Sequence, residues 1–157
     1  MSRDLNKMHP ELRIMFESFM EKMFEANLPF MVTSVDRSIV EQMALYAQGR
    51  MSRDDVNIYR GGARLSLLTH DKENRKVTWT LNSKHVTNMF DEDLNNDLSR
   101  AFDIALKANN VPHWNLKIFV GGDKERSDYE EAGEIGESCG LRWGGRFRSP
   151  DYCHFEI

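Results

Sequence analysis

The chain has 157 residues, enough for one domain with a real core and too few for two comfortable ones. Its composition is globular, with 40% apolar residues, nine Phe and three Trp, and no apolar run approaches the roughly 20 residues that cross a bilayer. The formal net charge of −4 gives no electrostatic pull toward nucleic acid or anionic lipid, so neither is expected as a partner, and membrane insertion is not expected either.

Pro10 followed by Leu12, Met15, Phe16, Phe19, Met20, Met23 and Phe24 sets apolar residues at three- and four-residue steps, which predicts a packing helix opened by the proline. The run Phe30 to Val35 (FMVTSV) reads as a strand, and Ile39, Val40, Met43, Ala44 and Ala47 predict a helix from Ser38 to Gln48, stopped by Gly49. Arg37 therefore falls at a strand-to-helix junction. From Arg50 to Arg75 the chain is polar and broken by RGGAR, and is read as a long surface excursion with a short strand around Leu65 to Thr69. Strands are expected at Lys76 to Thr80, Ala101 to Leu106 and Trp114 to Val120.

Ser127 and Glu130 have capping-box spacing ahead of a segment closed by Gly140, which predicts a helix of about three turns. The last stretch, LRWGGRFRSPDYCHFEI, reads as two short strands joined by a glycine and proline turn. If Tyr152 to Ile157 is a strand, His154 and Glu156 share one face, with Cys153 and Phe155 on the other. Cys153 is then a packing residue rather than a ligand. Helices and strands mix without strict alternation, so the expected class is α+β with a mostly antiparallel sheet flanked by helices. Cys139 and Cys153 are expected as free thiols. The opening MSRDLNKMHPEL carries charge but no apolar segment of the secretory kind, so the expected place of accumulation is the cytoplasm.

Of five histidines, His85 and His154 lie near acids in a way that suggests a metal site. A catalytic zinc site needs three ligands from His, Asp or Glu with one position open, and two histidines with one carboxylate suffice. Each fragment alone carries little weight; the order of the fragments carries more. SVDRSIVEQMALYAQGR from Ser34, VTWTLNSKH from Val77, SRAFDIA from Ser99 and GLRWGGRFRSPDYCHFEI from Gly140, with MHPEL near the start, resemble the zinc peptidases of bacterial cell walls. That family includes the D-alanyl-D-alanine carboxypeptidases and the phage L-alanyl-D-glutamate endopeptidases, and the likeness is closest to the phage endolysins.

The resemblance implies a Hedgehog/DD-peptidase-like fold, a single catalytic domain over residues 1–157, and zinc held by His85, Asp103 and His154. It implies Asp151 as general base, taking a proton from the attacking water and returning it to the leaving amine. Arg37 matches an arginine that steadies the oxyanion or the substrate carbonyl. Ser83 and Gln42 fall on positions that could orient substrate, or serve as a turn residue and an exposed helix residue. Glu156 is left between a partner of His154 and an alternative base.

The family arrangement His-x-x-Gly-x-Ala-x-Asp is interrupted here by NMFDEDLNNDLSR, an acidic loop insertion at about 88–99 that must lie at the rim of the site. Bulging out such a loop costs only a logarithmic increment of closure entropy. Asp91, Asp93, Asn95 and Asp97 alternate like the first oxygen ligands of a calcium loop, but Asn96 and Phe102 stand where a glycine and a closing glutamate belong. Calcium binding and a solvated acidic loop both remain open. His9, His70 and His113 have no acid partners at ligand spacing, and Trp79 and Trp143 read as core or groove walls.

The function expected from the resemblance is a monomeric zinc peptidase that cuts the peptidoglycan stem peptide between L-alanine and D-glutamate. It would act as a phage lysis enzyme, held in the host cytoplasm until lysis and then reaching the periplasm and wall. The alternatives are a D-alanyl-D-alanine carboxypeptidase or dipeptidase, and a non-catalytic zinc-binding virion component.

Overall fold

The computed structural model describes residues 2–87, 98–116 and 127–157. Helix α1 (Pro10–Glu25) opens as expected on Pro10 and is capped by His9, whose Nδ1 accepts from the Glu11 amide. Strand β1 (Phe30–Ser34) is followed by α2 (Ile39–Ala47), which begins with a capping box between Ser38 and Glu41. Next come α3 (Arg53–Gly62), β2 (Ala101–Ala108), β3 (Val111–His113), α4 (Asp128–Ser138), β4 (Arg142–Trp143) and β5 (His154–Glu156). The expected capping box of Ser127 and Glu130 is present at the start of α4.

The class is α+β, and every strand pairing among the described residues is antiparallel. The sheet runs β1-β2-β5-β4, with β3 also on β2. Leu106 pairs with both Phe30 and His113, so β3 lies on the edge of β2 opposite β1, beyond the part that β5 covers. Alternation along β2 separates two functions. Phe102, Ile104 and Leu106 enter the core with Leu12, Phe16, Phe19 and Met23 of α1, while Asp103 points to the other face. Register pairs Phe102 with Phe155 and Asp103 with His154, and the two phenyl rings stack at 5.3 Å with an interplanar angle of 13°. Phe16 meets Phe102 edge-on at 5.0 Å.

Four expectations about strands and loops need correction. The excursion from Arg50 contains α3, started by Ser52, whose hydroxyl accepts from the Asp55 amide; a single buried apolar residue, Val56, left it without a visible stripe. Leu65 to Thr69 is not a strand: both backbone groups of Leu68 are taken by the Asn57 side chain, at 2.8 and 3.0 Å, in place of a neighbouring strand. Lys76 to Thr80 is not a strand either. Gln42 donates to the Thr80 carbonyl and Arg50 to the Thr78 carbonyl, so side chains satisfy this backbone. Trp114 to Leu116 are not in a strand; the strand precedes them and ends at His113, and the remainder of that expected element falls outside the described residues.

The two short terminal strands pair as expected, with Trp143 buried in the core and both cysteines free. No helix among the described residues is long and apolar enough to cross a membrane.

Candidate metal centre

Three stretches far apart in sequence converge on the face of the sheet opposite α1. Asp103 comes from β2 and His154 from the register position beside it on β5. His85 comes from a turn before the insertion, held by Arg37, whose amide donates to the His85 carbonyl at 2.9 Å. The ligand-type atoms His85 Nε2, Asp103 Oδ1 and His154 Nδ1 stand 2.9, 3.1 and 3.3 Å apart. Tetrahedral coordination with bonds of about 2.0–2.1 Å sets neighbouring ligand atoms about 3.3 Å apart, so the three atoms fit a zinc ion with little rearrangement.

Hydrogen bonding behind the cluster fixes which nitrogen each imidazole presents. His85 Nδ1 donates to the Val35 carbonyl at 2.6 Å, leaving Nε2 to face Asp103. His154 Nε2 donates to Glu156 Oε2 at 3.1 Å, leaving Nδ1 to face it. Arg37 Nη2 donates to Asp103 Oδ2 at 3.0 Å, so the carboxylate offers its other oxygen, Oδ1, to the cluster. With Oδ2 so engaged, Asp103 is set up as a one-oxygen ligand.

The electrostatics match this arrangement. Burial alone would raise the Asp103 carboxyl, but the His85 charge and the hydrogen bonds of His154 and His85 outweigh it and hold the group far below the usual carboxylate range. Burial likewise opposes charge on His154, yet its hydrogen bonds to Asp103 and Glu156 raise it to about 9. In the metal-free protein His154 is therefore protonated beside the Asp103 carboxylate, and a metal cation that takes Nδ1 displaces that proton.

The other expected site residues fall into distinct places. Asp151 is exposed on the wall of a cavity of about 360 Å³ that also exposes the three ligand-type residues. A turn in which the His154 amide donates to the Asp151 carbonyl brings Asp151 next to the cluster. Gly144 permits that turn, since a Cβ there would stand 2.4 Å from the Asp151 carbonyl oxygen.

Arg37 lines the same cavity, but its guanidinium is engaged with Asp103 and with Gln42 Oε1 rather than standing free. Ser83 also lines it and serves a turn, its hydroxyl accepting weakly from the His85 amide at 3.4 Å. Gln42 does not reach the cavity. It is fully buried and braces the wall through Thr78 and Thr80, which corrects both the substrate contact and the exposed helix position expected of it.

Glu156 is buried with both oxygens occupied, one by His154 and one by Arg142 at 2.9 Å, the arrangement of an orienting partner rather than a free base. Cys153 is half-buried against the core, its thiol donating to Asp151 Oδ1 at 3.0 Å. Burial and the carboxylates of Asp151 and Asp103 push that thiol far above its usual range, which keeps it protonated. Asp91, Asp93, Asn95 and Asp97 lie outside the described residues.

Sequence reasoning missed two supports. Ser99, fully buried, has its hydroxyl 2.7 Å from the Val35 carbonyl and 2.8 Å from that of Ala101, tying the carbonyl that orients His85 to the start of β2. The Val35 carbonyl itself has no side-chain signature that a sequence could reveal.

The chain is similar to known proteins in part of its sequence and in its fold. Residues 97–157 match a family model described as D-alanyl-D-alanine carboxypeptidase, a segment that includes Asp103, Asp151 and His154 but not His85 or Arg37. No significant match exists among curated protein sequences. The fold is similar to the crystal structure of the Serratia marcescens L-Ala D-Glu endopeptidase ChiX, with a TM-score of 0.55 and 18% identity over 98% of this chain and 82% of that one. The family match covers the C-terminal segment that carries two of the three ligand-type residues, and the likeness along nearly the whole chain is one of fold.

Proposed function

We propose that the protein is a zinc-dependent endopeptidase that hydrolyses the L-alanyl-D-glutamate bond of the peptidoglycan stem peptide. The observation that carries the proposal is the convergence of His85 Nε2, Asp103 Oδ1 and His154 Nδ1 at zinc-ligand spacing beside an exposed carboxylate, Asp151. A divalent ion in that position supplies Lewis acidity, which polarises a carbonyl and brings the pKa of water toward about 7. Asp151, on the cavity wall, takes the proton from the attacking water and delivers it to the leaving amine. Arg37 occupies Oδ2 of Asp103 and so leaves it one free oxygen. Of its five N–H donors, those not engaged by Gln42 and Asp103 remain for the carbonyl oxygen of the scissile bond. Glu156 and the Val35 carbonyl hold the two imidazoles in the tautomers the ion requires.

The choice of bond is supported by the activity of the Serratia marcescens neighbour, an L-Ala D-Glu endopeptidase, and by the resemblance of four segments to phage endolysins. In that setting the protein acts on the wall during host lysis. A second reading, release of terminal D-alanine, is favoured by the description of the matched family model.

Mass spectrometry of digested sacculi separates the two. The endopeptidase frees L-alanine ends on the glycan strands, whereas released D-alanine would replace the proposal by the second reading. Asp151→Asn is expected to lower kcat by at least about 100-fold with zinc still bound. Equal activity in the variant would remove Asp151 from the mechanism, and no activity in either protein would leave a zinc-binding virion component.

A further inference from the structure

We propose that a basic basin adjoining the metal cluster is a subsite for the free carboxylates of an acidic stem peptide, an inference that rests on the peptidase reading above. The cavity over the cluster and a second one of about 760 Å³ share two wall residues, Arg37 and Val77, so the two adjoin and together make a long cleft along this face. Beyond those residues the second cavity is lined by Arg60, Lys72 and Arg75 against a single acid, Glu73. Three cations and one carboxylate leave it positive, on a chain whose formal net charge is −4.

Glu73 is turned to internal use: its Oε2 accepts from the Thr69 amide at 2.6 Å, the His70 amide at 2.9 Å and the Thr69 hydroxyl at 3.2 Å. Arg60 is fixed in place by donating to Gln48 Oε1 and the Ser66 carbonyl, both at 2.7 Å, so the basin has a positioned cation. Lys72 and Arg75 are exposed and make no ion pair among the described residues.

The two cavities thus differ in charge balance. Around the cluster Asp103, Asp151 and Glu156 are matched by Arg37, Lys76 and Lys84, whereas past Val77 the cations are in excess. Exposed Val77 and Leu67, the latter in the basin, give apolar surface for the intervening carbon chain. A glutamyl residue acylated on its amine keeps two carboxyl groups, and continuing the peptide uses only one. Each such residue therefore presents a free carboxylate that an ordinary neutral peptide lacks. With its scissile carbonyl at the cluster, an acidic stem meets an excess of cations by laying its carboxylates into the basin.

The test is calorimetric binding to the zinc-loaded protein of an N-acetyl-L-alanyl-D-glutamyl tripeptide whose scissile amide is replaced by an uncleavable CH2–NH link. Two forms are compared, one with free carboxylates and one with them amidated. The acid is expected to bind about tenfold more tightly at low salt, with the difference shrinking in about 0.5 M NaCl. In the exposed double variant Lys72→Gln, Arg75→Gln, with folding checked by its melting curve, the two forms should bind within about twofold of each other. Equal binding by the wild type, or a preference that survives in the double variant, overturns the proposal. Failure of the wild type to cleave sacculi would sink the peptidase reading separately, because the binding measurement does not depend on turnover.

Discussion

Replacing Glu156 by glutamine changes one atom's chemistry and should weaken the metal site more than the removal of a charge suggests. Glu156 accepts twice, from His154 Nε2 at 3.1 Å and from Arg142 Nη1 at 2.9 Å. Glutamine has one oxygen and one NH2 group, so it can accept from only one of these donors through its amide oxygen. If the oxygen faces His154, the NH2 group meets the Arg142 guanidinium, donor against donor. If it faces Arg142, the NH2 group meets His154 Nε2 and drives the proton to Nδ1, the nitrogen that must be bare to bind the ion. Loss of such an outer partner costs about 10- to 100-fold in metal affinity, or about 1.4–2.7 kcal/mol.

The measurement is a competitive zinc titration against a chelator, with the fold checked by circular dichroism. Arg142→Ala supplies the control. Its side chain is 69% exposed, so alone it should cost well under about 1 kcal/mol. In the glutamine background it removes the donor clash and should restore at least about 1 kcal/mol of zinc affinity. Wild-type affinity in Glu156→Gln, or additive effects in the double variant, would refute the assignment of tautomer by these hydrogen bonds.

Two further outcomes follow from the packing and the charges. In the metal-free protein His154 is raised to about 9 from an unfolded value near 6.5; the stability this adds is complete below about pH 6.5 and is lost as pH rises through about 9. Urea melts of chelator-treated protein should therefore show a decline of up to about 3 kcal/mol across that window, absent in His154→Ala. Gly136→Ala would normally gain about 1 kcal/mol inside a helix, but its Cβ would stand 2.4 Å from the Phe155 ring, about 1 Å inside contact distance. Overpacking should win, for a net loss of about 1–2 kcal/mol by urea denaturation, and a stabilised variant would show that α4 is not seated on that ring.

The ligand set His85, Asp103 and His154 was implied by the resemblance of the ordered segments to zinc cell-wall peptidases, since no fragment alone singles it out. The sharing of one face by His154 and Glu156 could be read from the spacing of two residues alone, and the structure adds a hydrogen bond between them. Less legible was everything decided by side chains bonding to backbone. Asn57 takes both polar groups of Leu68, and Gln42 and Arg50 take carbonyls between Thr78 and Thr80, so apolar runs that look like strands remain outside the sheet. Helix α3 escaped notice because tertiary context, not a stripe of apolar residues, holds it. Gln42 was misplaced for a similar reason: a polar residue on a helix reads as exposed until its three hydrogen bonds inside the protein are seen. The tautomer of His85 depends on a carbonyl, and no carbonyl differs from another in a sequence.

The alternation of Phe102 with Asp103 and of His154 with Phe155 has a mechanical consequence. The same two ribbons of backbone are gripped on one surface by a dense aromatic stack and on the other hold the groups that must converge within an ångström or so. The reaction centre therefore borrows its stiffness from oil-like contacts on the reverse side, and no change can soften one surface while leaving the other taut.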